Sequence, residues 1–197
     1  LLALAEDASL RSEANRAMMR AHFAEGAEDV ALTYAEGIVA DLRQSPEDRS
    51  EAFAVRLRVL EAKYRAQPSD SLRLGLWQQA AEDAIAEAAV GTQAEAMYAK
   101  ASILRIRGKY AASSEAVFGL LDNYPGQQEW RFRALLVLAR NYASLNDGFQ
   151  ARYTLDFVIA EHPSDALVRE AQALLAEFNA AQLESNAPQT TTEDDAE

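Results

Sequence analysis

Apolar and polar positions recur at helical spacing along most of this 197-residue chain, and one stretch states its pattern twice. The phrase AEAMYAKASILRIRGKYAASSEAVFGLLDNYP, which starts at Ala94, is followed by FRALLVLARNYASLNDGFQARYTLDFVIAEHP at a constant offset of 38 residues. That offset sets Ala101 on Ala139, Leu104 on Tyr142, Ser113 on Ala151, Val117 on Leu155, Leu120 on Val158 and Pro125 on Pro163. Small, apolar and turn-forming positions share one register, which predicts two copies of a helix-turn-helix unit. Their helices are expected near 93–107 and 110–123, with Gly108 at the turn, and near 128–145 and 148–161, with Asn146-Asp147-Gly148 at the turn.

Upstream, Leu1 to Ala8 reads as the last turns of a helix that begins before the sequence given, and Leu1 in place of Met suggests a mature or truncated chain. A helix from Glu13 to Glu25 would bury Ala14, Ala17, Met18 and Ala21 and end at Gly26. Ala31, Tyr34, Ala35, Ile38, Val39 and Leu42 form the next stripe, and the short link between the two predicts an antiparallel pair. Ser45-Pro46-Glu47-Asp48 is a helix start: a capping hydroxyl, a proline with helical φ, and acids at the positive end of the helix dipole. The helix it opens runs to Ala66 on Phe53, Leu57, Leu60 and Tyr64. Gln67-Pro68-Ser69-Asp70 repeats that turn chemistry, and Trp77, Ala80, Ala81, Ala84, Ile85 and Ala88 mark the buried face of a fourth helix closed by Gly91-Thr92. A last helix starts at Ser164-Asp165 and uses Leu167, Ala171, Leu174, Leu175 and Phe178.

These elements predict an all-α chain: a right-handed α-solenoid of antiparallel hairpins at about 12–42, 47–90, 93–125 and 128–163, with a capping helix at 164–181. The repeat domain would span 1–182, and the aperiodic segment 183–197 would be an acidic disordered tail.

Composition narrows the function classes. A hydrophobic content of 49% with few glycines and prolines suits closely packed helices. With no cysteine, disulfides, thiolate metal sites and a cysteine nucleophile are excluded. No apolar run reaches the length of about 18 residues that a membrane-spanning helix needs. The net charge is −12, and from Glu184 onward there are five acids and no base. Phosphate backbones and anionic membrane surfaces require basic patches, so neither nucleic acid nor direct membrane insertion is expected.

Candidate chemistry is sparse. His22 and His162 have no partner at a metal-ligand spacing such as H-E-x-x-H and suit helix ends. The acid pairs Glu6-Asp7, Glu28-Asp29, Glu47-Asp48 and Glu82-Asp83 are adjacent and mostly in first turns, where acids are favoured and do not face each other. With no phosphate-binding or nucleophile-elbow motif either, no catalytic residue, metal or cofactor is expected. Trp77 extends an alanine-rich stripe and is expected in the core, while Trp130, flanked by Glu129 and Arg131, would lock two hairpins together.

In the second copy, Leu135, Leu138, Ala139, Tyr142, Ala151, Leu155, Val158 and Pro163 fall on the apolar, small and proline positions of the tetratricopeptide repeat, and the sequence resembles that family. The resemblance implies that Ala139 and Ala151 let the two helices of a hairpin approach closely and that Pro163 ends the second. Lys100 and Ser113 depart from the pattern in the first copy, where packing would be looser. The offset of 38 exceeds the family's period of about 34, and the extra residues are placed around Gln127 to Trp130, as a longer loop or a further helical turn. Trp130, then Asn146, Asp147, Phe149, Gln150, Ala151, Thr154 and Leu155, is similar to the end of large tetratricopeptide proteins of Bacteroidetes-type bacteria. That similarity implies the tail of a longer array, in the periplasm or attached to the cell envelope, with the cytoplasm left open.

The family's inner groove, carried over by position, falls on Glu95, Tyr98, Ser102 and Arg105 of the first copy and Arg133, Leu136 and Arg140 of the second. Three arginines and a tyrosine on one face of an acidic protein would hold a carboxylate or acidic segment of a partner protein. The competing expectation is that these arginines pair with acids of neighbouring helices. A second functional class is a structural or self-assembly module, stacking through its N-terminal hairpin on further repeats or on another copy. The Lys/Asn pattern of the family's chaperone-tail binders is not visible.

Overall fold

The computed structural model describes residues 2–161 and 165–185. His162, Pro163, the Ser164 helix start and the 186–197 part of the expected disordered tail lie outside them. Among the described residues there are nine α-helices and no strand: α1 (Leu2–Ala24), α2 (Glu28–Ala40), α3 (Pro46–Ala66), α4 (Ser71–Glu87), α5 (Val90–Ile106), α6 (Tyr110–Asn123), α7 (Gln128–Ser144), α8 (Gly148–Glu161) and α9 (Asp165–Ser185). Each helix packs on the next in the chain, and α1, α3, α5, α7 and α9 also touch in sequence. The fold is all-helical and repeat-like, built from neighbour contacts.

The doubled phrase survives as geometry. The bounds of α5 and α6 become those of α7 and α8 on adding 38. The turns match as well: Gly108 and Asn146 occupy the same repeat position, and both have positive φ, 71° and 60°. Lys109 N–H donates to Leu104 O and Gly108 N–H to Arg105 O; one copy later, Asp147 N–H donates to Tyr142 O and Asn146 N–H to Ala143 O. These are paired C-terminal caps that need a left-handed residue, which glycine or asparagine supplies at low cost. The added length of the repeat is helical, since Glu129 and Trp130 lie in the first turn of α7 and not in a loop.

Upstream, Ser45 caps α3 by accepting from Asp48 N–H at 3.1 Å, with Pro46 at the first helical position. Asp70 caps α4, accepting from Leu72 and Arg73 N–H. Gly91 and Thr92 do not close α4, because they sit in the first turn of α5. The Ser50 hydroxyl on α3 explains this placement: it accepts from Ala89 N–H and bonds the Thr92 hydroxyl at 2.9 Å, tying the turn down.

The core stripes of α3 and α4 are as the pattern predicts. Phe53, Leu57, Leu60, Tyr64, Trp77, Ala80, Ala81 and Ala84 form one buried cluster, with Ile85 half-buried against it. The N-terminal helix differs. It is continuous from Leu2, and Ala14, Ala17, Met18 and Ala21 face solvent while Met19 and half-buried Phe23 face α2 and α3. Polar bridges set that rotation: Ser12 to Gln44, Arg16 to Asp48 and Arg20 to Glu51. Leu42 lies beyond the end of α2 and is exposed.

Ser113 does not loosen the packing. It is fully buried, donates to Ala101 O at 2.7 Å and accepts from Asn141 Nδ2 at 2.8 Å, joining α5, α6 and α7. A buried polar group bonded in this way keeps its neighbours in one arrangement. Lys100 is exposed and leaves no charge in the core.

The equivalent alanines should respond differently to enlargement. Ala101 is enclosed among Val117, Leu120 and Leu138, whereas Ala139 borders an open cavity. Ala101→Leu is expected to destabilise by about 2 kcal/mol through overpacking, and Ala139→Leu by less than about 1 kcal/mol. Urea unfolding of the two variants checks this order.

Candidate binding surface

The seven residues assigned to an inner groove do not line one cavity: they divide between two neighbouring cavities and the core. Glu95, Tyr98 and Arg133 line the first, with a volume of about 630 Å³, together with Arg58, Glu61 and Arg65 of α3, Glu129 and Trp130 of α7, and Glu170 of α9. Arg105 and Arg140 line the second, of about 610 Å³, between α5, α7, α8 and α9. Ser102 is buried and lines neither. Leu136 is 2% exposed and packs with Ala139, Leu155 and Val158, so it is a core residue with no surface to offer a ligand.

The first cavity is a network of paired charges on an aromatic floor. Arg58 donates twice to the Glu95 carboxylate, at 2.7 and 2.9 Å. Burial raises the pKa of Glu95, with the Arg58 hydrogen bond and charge opposing it. Arg65 pairs with Glu61, and Arg133 with Glu129, each one helical turn apart. Tyr98 packs on Trp130 with ring centres 5.6 Å apart, and the Arg133 guanidinium lies 5.7 Å from the Trp130 ring centre. Burial, and next the Glu61 charge, push the Tyr98 hydroxyl above its ordinary pKa. Trp130 therefore joins α7 to α5.

Arg140, which lines the second cavity, pairs at 3.0 Å with Glu170 of α9, which lines the first, so this ion pair bridges the two. Arg105 makes no ion pair among the described residues, and its Nε is buried without a hydrogen-bond partner. Burial, and next the Arg140 charge, hold the Arg105 guanidinium below its usual pKa. The expected pairing with acids of neighbouring helices thus holds for Arg140, whereas Arg133 pairs within its own helix, with Glu129, and no ion pair is found for Arg105 among the described residues.

Arg58, Glu61 and Arg65 were not legible as site residues, because α3 lies outside the doubled phrase that supplied the register. A further surface was missed on α8: Phe149, Tyr153 and Phe157 at i, i+4 and i+8 are all exposed, with the Phe149 and Tyr153 rings stacked at 6.4 Å. Its signal was present, since these three aromatics fall opposite the buried Ala151, Leu155 and Val158. His22 stacks on Tyr34 at 5.9 Å, with its Nδ1 3.8 Å from Glu25 at the end of α1. Among the described residues no group of three or more His, Asp or Glu side chains could hold a metal ion, and no helix is long and apolar enough to cross a membrane.

No protein-family model, no curated protein and no solved structure matches this chain.

Proposed function

We propose that this chain is a non-catalytic protein-interaction scaffold: a right-handed α-solenoid of tetratricopeptide-like hairpins, capped by α9, that takes a partner segment along its odd-numbered helices. One observation carries this reading. A single cavity gathers side chains from α3, α5, α7 and α9, so one surface runs across four alternate helices. Such a surface suits an extended or helical segment laid across the row. Tyr98 and Trp130 supply apolar contact area, and surface-paired Arg65 and Arg133 can exchange Glu61 and Glu129 for partner carboxylates at little cost, because exposed ion pairs contribute only about 0–1 kcal/mol. The partner is a protein or peptide, and the resemblance to the ends of large tetratricopeptide proteins favours the periplasm or cell envelope, with the cytoplasm left open.

The double variant Arg65→Ala, Arg133→Ala is expected to keep its melting temperature within a few degrees and to lose partner capture from lysates of the source cell. Undiminished capture by this variant would reject the proposed surface.

A specific feature also favours assembly. Leu10, Ala14, Ala17, Met18 and Ala21 lie exposed on α1, the outermost helix of the row. Light scattering separates the readings: a mass that doubles with concentration, and reverts in Met18→Glu, supports stacking through this face.

A further inference from the structure

Arg105 sits where a charge is costly, and no carboxylate among the described residues forms an ion pair with it. Its Nε is buried and unbonded, it lacks an ion-pair partner among the described residues, and the neighbouring guanidinium of Arg140 is occupied by Glu170. Every arginine of the other cavity has a carboxylate within 2.9 Å. An uncompensated, partly buried cation is destabilising, and a carboxylate is its best partner because two oxygens match the guanidinium fork. Ser144 and Asn146 also line the cavity, and its apolar part is formed by Ala143 on α7, Leu155 on α8, and Leu174 and Phe178 on α9. Glu177 also borders it, which disfavours a ligand with more than one negative charge.

We propose that this cavity binds a small monocarboxylate with an aliphatic body. The acid lies on Arg105, and the hydrocarbon lies against Leu155, Leu174 and Phe178. Its volume of about 610 Å³ falls within the about 300–1,000 Å³ of small-molecule sites. Phosphate would bring too much charge and nothing to fill the apolar end. An aliphatic alcohol would leave Arg105 unanswered.

The test is a titration of the whole chain with octanoate, followed by amide and arginine Nε–H resonances in nitrogen-15 spectra. Saturable shifts are expected at Arg105 Nε–H, Ala143, Leu174 and Phe178. Octanol and inorganic phosphate should each bind at least about tenfold more weakly, the scale of one lost charge-assisted contact. Arg105→Gln should weaken octanoate by a similar factor, whereas Arg133→Gln, in the other cavity, should leave it unchanged. Ala143→Leu, which narrows the cavity while keeping Arg105, should also abolish binding and serves if Arg105→Gln does not fold. Equal binding of octanol and octanoate, or undiminished binding by Arg105→Gln, overturns the proposal. So does octanoate binding that arises only after Glu193, Asp194, Asp195 and Glu197 are neutralised, an outcome that would give the cavity to the chain's own acidic segment.

Discussion

Replacing Trp77 by alanine is expected to remove about 3–5 kcal/mol of stability, the largest loss available from one side chain here. Trp77 is 1% exposed, stacks on Tyr64 at 5.9 Å and stands in the cluster that joins α3, α4 and α5. Truncation would leave a large void between helices that cannot close without moving Phe53 and Leu57. The indole adds a second, separable effect. Its Nε1 is buried without a hydrogen-bond partner, so the N–H is desolvated with no return. Trp77→Phe keeps most of the packing and removes that donor, and should cost only about 1 kcal/mol. Chemical denaturation of both variants measures the split. Equal losses in the two would show that the indole N–H is satisfied after all and that ring contacts matter little.

The second large effect depends on pH. Arg58→Ala should cost about 2 kcal/mol at neutral pH. That is less than the about 3–5 kcal/mol of a fully buried pair, because the Arg58 side chain is 49% exposed while that of Glu95 is 7% exposed. The folded pKa of Glu95 already lies above its ordinary value, with burial as the main cause. For an acid raised on folding, stability falls as pH rises from the unfolded pKa of about 4.3 through the higher folded one. Removing Arg58 takes away the main group that lowers this pKa and so deepens the fall. The deficit of the variant relative to the parent chain should therefore shrink at pH 4 and reach its full size by pH 8. Adding Glu95→Gln should recover part of it at pH 8. A deficit of the same size at both pH values would mean that Glu95 is solvated in the absence of Arg58.

Much of the fold was legible because helices are coded locally. The stripe Phe53, Leu57, Leu60 and Tyr64, the caps at Ser45 and Asp70, and the left-handed turn positions Gly108 and Asn146 each depend on residues within a turn or two of chain. The phase of α1 was not legible. Its apolar residues are mostly alanine, which discriminates weakly between faces, and the rotation is fixed by Ser12, Arg16 and Arg20 reaching α2's end and α3. Ser113 likewise reads as a defect in one copy of the repeat until Asn141, on another helix, is seen to bond it.

The candidate surface divides in the same way. By itself the sequence determined the order of helices α2 to α9, the 38-residue register and the residues that α5 and α7 carry, because backbone hydrogen bonding and a 3.6-residue period are properties of neighbouring positions. Only the tertiary structure decided that Leu136 is core, that Glu95 and Arg58 form one pair, and that Arg105 faces α9 with no ion pair among the described residues. Those outcomes depend on which long side chains meet across helices, and on whether water or hydrocarbon surrounds them where they meet.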